Sequence, residues 1–194
     1  MSPRTSTQFE EMREQSRNAI LEAALKLFAE KGYHKASIAQ IANEAGVSKG
    51  LIYNYFEKKD DLLMGMIERE MKVGESMIAE MMAIESPLDQ FRFVITQAFK
   101  QIKDNAEHNK LLIGLSLHID EFPFLKDIII GKYEGSMPFF VPLLKAAGVK
   151  NPEAETRMLA ALLDGIALQY HTLGDSFPIA QVEQDLLTKY GLNQ

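Results

Sequence analysis

Cysteine is absent from the 194-residue chain. Its absence excludes a disulfide framework, thiolate catalysis and a cysteine-ligated metal, and it is compatible with a reducing cytoplasm. Long apolar runs are absent too, because none approaches the roughly 20 residues that a membrane-spanning helix needs. Residues 1–18 are polar and lack the apolar segment of a signal peptide. We therefore expect a soluble, cytoplasmic protein.

Positive charge is also scarce, since the net formal charge is −6. DNA-binding domains are usually basic, so this balance at first argues against a nucleic-acid partner. The acidic excess lies late in the chain: residues 1–60 carry nine basic and eight acidic side chains, and residues 61–194 carry twelve and nineteen. Screening limits the field of a distant acidic body to about 8–10 Å. A local basic face early in the chain is therefore compatible with phosphate binding.

Signatures of catalysis are missing as well. The four histidines, at positions 34, 108, 118 and 171, show no metal-ligand spacing. No nucleophile elbow, glycine-rich phosphate loop or paired-carboxylate motif is present. We expect neither an enzyme nor a bound cofactor or metal.

Helical periodicity runs through the whole chain and predicts an all-α fold. Apolar residues recur every three or four positions over Ser16–Gly32 and indicate a first helix, which has room to start earlier. Ser37 and Gln40 fit a capping box that opens a second helix, and Gly46 is suited to end it.

A short third helix follows this glycine turn, so that the two helices form a helix-turn-helix. Ser48 is placed to cap the third helix, which is expected to end at Asn54 or Tyr55. We expect Ile52 and Phe56 to face the first helix as core. The residues left outward or at the rim are Lys49, Gly50, Tyr53, Asn54 and Tyr55.

These outward residues suit contact with DNA. Gly50 has no side chain and allows close approach of the backbone, Lys49 supplies charge, and tyrosine hydroxyls donate to phosphate oxygens. Asn54 is suited to read a base edge, most naturally that of adenine. The same residues also fit a solvated helix face with tyrosines at the edge of the core. Both interpretations are compatible with the pattern alone.

The segment Ile20–Leu63 resembles the N-terminal domain of the tetracycline-repressor (TetR) family of bacterial regulators. The resemblance rests on LFAEKGY, the serine that opens the second helix, IANEAGVSKG, YNYF and a lysine before an acidic pair, all in order. It implies binding to a palindromic site on double-stranded DNA. The DNA-binding residues so predicted are Ser37, Ser48, Lys49, Gly50, Leu51, Tyr53, Asn54, Tyr55 and Lys59.

Within that set, the resemblance implies phosphate contacts for Ser37, Tyr53, Tyr55 and Lys59. It places Lys49, Gly50, Leu51 and Asn54 at the groove. Leu51 offers only an apolar contact there, so base reading is expected to be sparse. The family often has histidine where this chain has Tyr55. This departure is mild, because the tyrosine side chain also ends in a polar group.

The remainder of the chain resembles the family in architecture rather than in motif. We predict a helix-turn-helix DNA-binding domain over residues 1–62 and a larger helical domain for effector binding and dimerisation over residues 63–194. A helix opens at Ser86–Pro87. Later helices are predicted over 108–119, 121–147 with an interruption near Gly135–Pro138, 152–173, and 176–190.

The helix predicted over residues 152–173 is apolar on most of its faces and must be buried on most of them. A second copy of the chain is the expected cover, giving a four-helix interface with the last helix. A core helix within one chain is the alternative. The predicted interface consists of Met158, Leu159, Leu162, Ile166, Tyr170, Val182 and Leu186.

Methionine and phenylalanine are frequent in the second domain. They favour a soft, apolar cavity for a lipophilic effector, although the same stripes also fit an ordinary core. The predicted pocket residues are Phe99, Leu115, His118, Tyr133 and Met137.

These observations predict a DNA-binding transcriptional regulator, specifically a homodimeric repressor that a small effector releases from its operator. One alternative is an activator or a ligand-independent regulator. Another is a helical ligand-binding or protein-interaction module without functional DNA binding.

Overall fold

The computed structural model describes residues 6–193, and within them all side chains except those of residues 6, 7, 70 and 132. This range contains nine α-helices, two 3-10 turns (Ile119–Glu121 and Gly174–Ser176) and no strand, which confirms the all-α prediction. The helices are α1 Ser6–Lys31, α2 Ile38–Glu44, α3 Lys49–Tyr53, α4 Lys59–Met82, α5 Pro87–Asp104, α6 Ala106–Ser116, α7 Pro123–Ala146, α8 Pro152–Leu173 and α9 Ile179–Lys189.

The chain divides into two compact units, Met1–Gly74 and Glu75–Gln194. The dividing point lies inside α4, so this helix belongs to both units. The functional boundary after residue 62, between a DNA-binding and an effector-binding domain, remains a prediction. None of the helices within residues 6–193 has the length and apolar character needed to cross a membrane.

The first unit has its core between α1, the two short helices and the start of α4. Ile52 is fully buried and Phe56 is 4% exposed, so the predicted inward face of α3 is confirmed. The other core residues of this unit include Ile20, Leu21, Ala24, Phe28, Ile41, Leu62, Leu63 and Met66. Because α3 is only five residues long, it depends on this packing for its stability.

The second unit is organised around α5, whose apolar face includes Phe91, Ile95 and Phe99, all fully buried. Helices α6 to α9 pack against it or against one another. A polar contact joins α8 to the end of α9: the Tyr190 hydroxyl donates to Glu155 Oε1 at 2.6 Å, and the Lys189 ammonium donates to the same oxygen.

The first helix starts at Ser6, within the earlier start that the sequence left open. One predicted feature of a later helix was wrong. The predicted interruption near Gly135–Pro138 does not occur, because α7 is continuous and contains Pro138 and Pro142 in its interior. An interior proline costs about 3 kcal/mol. Burial of the following Leu143 and Leu144 in the core favours a continuous helix despite that cost.

Candidate nucleic-acid interface

Serine caps open both helices of the helix-turn-helix. Ser37 Oγ accepts a hydrogen bond from the Gln40 amide at 3.3 Å, and Gln40 Oε1 accepts from the Ser37 amide at 3.0 Å, which confirms the predicted capping box. Ser48 Oγ accepts from the Leu51 amide at 3.1 Å, as predicted for the cap of α3. A cap of this kind typically contributes about 1 kcal/mol.

The turn between the two helices depends on Gly46. Its φ of +66° lies in the left-handed region, and the following Val47 amide donates to the Ala42 carbonyl at 2.9 Å. A Cβ atom at Gly46 would meet nothing within 4 Å, so glycine is needed here for its backbone conformation and not for space. The turn thereby fixes the direction in which α3 leaves α2.

The predicted DNA-binding residues of the turn and α3 lie next to one another. The exposed residues among them are Ser48, Lys49, Gly50, Tyr53 and Asn54, and Leu51 and Tyr55 are half-buried. Ser37 is also exposed, at the start of α2. Asn54 is the C-cap residue of α3, so it stands at the end of the helix instead of within it.

Lys59 is placed differently from the other predicted DNA contacts. Its ammonium donates to the carbonyl oxygens of Tyr33 at 2.6 Å, Ala36 at 3.0 Å and His34 at 3.4 Å, which engages all three of its donors, and it lies against the Tyr33 ring. Burial lowers the pKa of Lys59, an effect that the neighbouring Asp60 partly opposes. A phosphate contact by Lys59 would therefore have to replace one of these carbonyl contacts.

Tyr33 belongs to the same arrangement, and the sequence reasoning did not assign it a role. Its hydroxyl donates to the Asp60 carboxylate, and burial together with this hydrogen bond raises the pKa of Tyr33. The sequence does carry a signal for Tyr33: this residue ends the LFAEKGY segment and directly follows the glycine after α1.

A cleft of about 330 Å³ adjoins the far end of α3. The lining residues are Glu10, Arg13, Glu14, Arg17, Asn54 and Tyr55. The Arg13 guanidinium lies 5.7 Å from the centre of the Tyr55 ring. The sequence did not predict this cleft, because it forms only where α1 packs beside the end of α3, more than thirty residues away along the chain.

The five predicted effector-pocket residues differ in their exposure. Phe99 and Leu115 are buried, Met137 is half-buried, and His118 and Tyr133 are exposed. His118 Nδ1 lies 3.1 Å from Glu121 Oε1 on the same segment. The Tyr133 hydroxyl donates to Asp164 Oδ2 at 2.7 Å, and this hydrogen bond and burial raise the pKa of Tyr133 to about 12.

A different cavity, of about 210 Å³, lies in the second unit. Its lining residues are Ile102, Ala106, Asn109, Ala167, Tyr170, His171, Gly174 and Asp175. An apolar floor and a polar rim of this kind can hold a small molecule. No group of three or more acidic or histidine side chains within the described residues is arranged to hold a metal ion.

The predicted interface residues differ in their exposure. Leu159, Ile166 and Leu186 are buried in the core of the single chain, whereas Met158 is 57% and Leu162 is 42% exposed. Tyr170 and Val182 are half-buried at the edge of the core. The apolar surface that α8 leaves exposed also includes Leu168 and Leu173.

Comparison with known proteins agrees with this geometry. Residues 20–66 match the family described as bacterial regulatory proteins, tetR family. The HTH-type transcriptional regulator BetI of Serratia proteamaculans is 30% identical over 176 residues, which cover 85% of each chain. The uncharacterized HTH-type transcriptional regulator YuxN of Bacillus subtilis is 29% identical over 78% of this chain, which spans only 52% of that relative's length.

The fold is also shared with solved structures. A putative transcriptional regulator from Saccharomonospora viridis, in complex with choline, superimposes with a TM-score of 0.78 at 21% identity, covering 93% of this chain and 97% of that one. The fatty acid degradation regulator FadR from Bacillus halodurans gives 0.76 at 20% identity, covering 92% and 95%. The chain belongs to the TetR family of DNA-binding transcriptional regulators.

Proposed function

We propose that this chain is a homodimeric, cytoplasmic repressor, without enzymatic activity, that binds a palindromic operator and leaves it when a small effector binds the second unit. The observation that carries this proposal is the presentation of α3. Its inner residue Ile52 is fully buried, while Lys49, Gly50 and Tyr53 are exposed beside the capped start of the helix.

Gly50 supports the DNA-binding part of this proposal. Its φ is not positive, and a Cβ atom built there would meet only Ser48 Oγ, at an ordinary 3.8 Å. The packing of the first unit therefore does not require glycine at this position. A partner that must approach the helix backbone closely does require it, and a DNA strand is such a partner.

The charges near α3 support the same role. Lys49 is an exposed, positively charged residue at the start of α3. The helix dipole also attracts an anion to this end of the helix. The hydroxyls of Tyr53 and Tyr55 add neutral donors for phosphate oxygens. We propose that these three residues hold the DNA backbone and that Asn54 and Leu51 contact base edges. Ser37 and Ser48 would contribute from the starts of the two helices.

The exposed face of α8 supports dimerisation. Met158, Leu162, Leu168 and Leu173 are each at least 42% exposed, although all four are large and apolar. Several large apolar side chains left exposed on one helix are typical of an interaction site. We propose that the same face of a second copy covers it. Such a dimer would present two α3 helices to successive major grooves, about 34 Å apart.

The cavity in the second unit supports effector binding. We propose that the effector binds there, between Ile102 and Tyr170, rather than among the five residues predicted from the sequence. A solved structure of the same fold is a complex with choline, so a protein of this fold can hold a small molecule. Release requires that the effector bind the DNA-free state more tightly than the DNA-bound state.

DNA binding is tested by selecting duplexes from a random library with the unaltered chain and measuring their affinity by fluorescence polarisation at several salt concentrations. Affinity should fall steeply with salt, by a slope of about −0.9 for each phosphate contact. Lys49→Ala and Tyr55→Phe should weaken binding without unfolding the protein, whereas Lys145→Ala, an exposed lysine of the second unit, should not.

Failure to select any duplex that binds in a salt-dependent manner would reject the repressor. It would favour the alternative of a helical ligand-binding or interaction module. Selected duplexes without two-fold symmetry would reject the palindromic operator and, with it, the proposed arrangement of the dimer on DNA.

A further inference from the structure

The start of α1 extends beyond the part of the chain that matches the family. Helix α1 begins at Ser6, and the family match begins at Ile20. The side chains of residues 8–15 are all exposed, so this extension adds nothing to the core of the first unit. Glu10, Arg13 and Glu14 of this extension line the cleft beside Asn54 and Tyr55.

Two arginines one turn apart on this extension are placed differently. Arg17 Nη2 donates to Glu68 Oε2 at 3.1 Å, and its guanidinium lies against the buried Phe56 ring. Arg13 lies against the Tyr55 ring instead, and among the described residues this ring is its only partner. Its guanidinium therefore keeps all of its hydrogen-bond donors available to a ligand.

The ring contact fixes Arg13 beside a residue that is proposed to bind phosphate. A guanidinium presents a planar fork of donors that matches a phosphate group. Asn54 and Tyr55 form the other side of the cleft. The cleft therefore places an arginine that has no ion-pair partner among the described residues beside the Tyr55 hydroxyl, which suits a DNA phosphate. Glu10 and Glu14 also line it and repel such a group, so its charge is not simply positive.

We propose that Arg13 is an additional operator contact, whose guanidinium binds a backbone phosphate next to the one held by the Tyr55 hydroxyl. This inference rests on the proposed DNA-binding function and extends the binding surface from the helix-turn-helix to the start of α1. Glu10 and Glu14 oppose this contact. They therefore reduce binding to DNA of other sequences, which does not make the remaining contacts of the operator.

The test compares Arg13→Gln, Arg13→Lys and the control Lys145→Gln, using the duplex that the unaltered chain selects from a random library. Arg13→Gln should weaken binding about five- to tenfold, as expected for loss of a charge-assisted hydrogen bond. Its salt slope should be smaller in magnitude by about 0.9, because one phosphate contact is lost. Arg13→Lys should keep the slope, and Lys145→Gln should match the unaltered chain.

A second variant, Glu14→Gln, is expected to change the affinity for DNA in the opposite direction. Removing its charge should strengthen binding of the same duplex, more at low salt than at high salt, because the repulsion is screened. Circular dichroism and the melting temperature of each variant check that the fold is kept. Exposure of residues 8–15 makes these substitutions compatible with folding.

Arg13→Gln with the affinity and slope of the unaltered chain would overturn the proposal. So would a loss of affinity without a change of slope, because Arg13 would then only orient Tyr55. Either result leaves the repressor function intact, since the unaltered chain still binds. If the unaltered chain selects no duplex, the repressor function and this contact are both rejected.

Discussion

The Lys59 ammonium lies 4.3 Å from the centre of the Tyr33 ring and donates a hydrogen bond to the carbonyl oxygen of the same residue at 2.6 Å. It also donates to the carbonyl oxygens of His34 and Ala36, just before α2 begins. The start of α4 is thereby joined to the segment between α1 and α2. This connection holds the helix-turn-helix against the helices on either side of it.

Replacing Lys59 by methionine should destabilise the protein. The carbonyl oxygens of Tyr33 and Ala36 would lose their charged donor, a loss worth about 1–3 kcal/mol. The measurement is the free energy of unfolding in urea. Lys58→Met is the matched control, because the Lys58 side chain is 69% exposed and its ion pair with Asp60 is long, at 3.9 Å. Equal destabilisation by both variants would contradict the structural role of Lys59.

The local structure around the helix-turn-helix could be predicted because its signals are local. Ser37, Gln40 and Ser48 cap helices that begin within one turn of them, and Gly46 sets a turn by its own backbone. The position of Lys59 could not be predicted in this way. Its contacts with Tyr33 and Ala36 span more than twenty residues and depend on how α1 and α4 pack.

Gly65 and Gly74, both inside α4, should respond oppositely to alanine. A Cβ atom at Gly65 would lie 3.1 Å from both Leu21 Cδ2 and Phe56 Cε1, and both of those side chains are buried. At Gly74 it would meet nothing within 4 Å. Gly65→Ala should therefore lower the free energy of unfolding, whereas Gly74→Ala should raise it by up to about 1 kcal/mol through helix propensity.

Urea unfolding of the two glycine variants gives the comparison directly. A gain in stability for Gly65→Ala as large as that for Gly74→Ala would show that Leu21 and Phe56 move aside without cost. The close approach of α1 to α4 at Gly65 would then not constrain the first unit.

Glu155 should make stability depend on pH in the acid range. Hydrogen bonds from Lys189 and Tyr190 lower the pKa of this carboxyl below its ordinary 4.5. A lowered folded-state pKa means that the stabilisation is complete above pH 4.5 and is lost as the pH falls below it. Glu155→Gln should thus melt at a lower temperature than the unaltered chain at pH 7, with the difference shrinking in acid.

The control for this experiment is Glu153→Gln, since Glu153 is exposed in the same first turn of α8. It removes one charge from the same helix end without touching Tyr190 or Lys189. If Glu155→Gln lowers the melting temperature by the same amount at every pH, Glu155 is not the source of the pH dependence.

Leu162→Glu should give a folded monomer. A charge in the centre of the exposed α8 face would be buried against the second copy, which is unfavourable without a partner. Light scattering after gel filtration should show the mass of one chain, with unchanged helical circular dichroism and weaker operator binding. Leu112→Glu, at a 37% exposed leucine of α6, should keep the mass of the unaltered protein. A dimer that survives Leu162→Glu would contradict the interface.

The sequence pattern could not separate the residues of α8 by role. Leu159 and Leu162 lie on the same broad apolar stripe, but Leu159 is 2% exposed and Leu162 is 42% exposed. Periodicity reports how apolar a face is and not which neighbour covers it. The five predicted effector residues were scattered for a similar reason. Phe99 lies in the core and Tyr133 on the surface because the packing of five helices, rather than local pattern, decides which residues meet.

The serine cap of α3 has a thermodynamic consequence for recognition. Because Ser48 Oγ accepts from the Leu51 amide, the start of α3 is capped by a residue of the chain itself and needs no contact with DNA to form. Operator capture then involves little coupled folding of residues 48–54. The heat-capacity change on association should accordingly reflect the apolar area that the two surfaces remove from water, and not the ordering of a disordered segment.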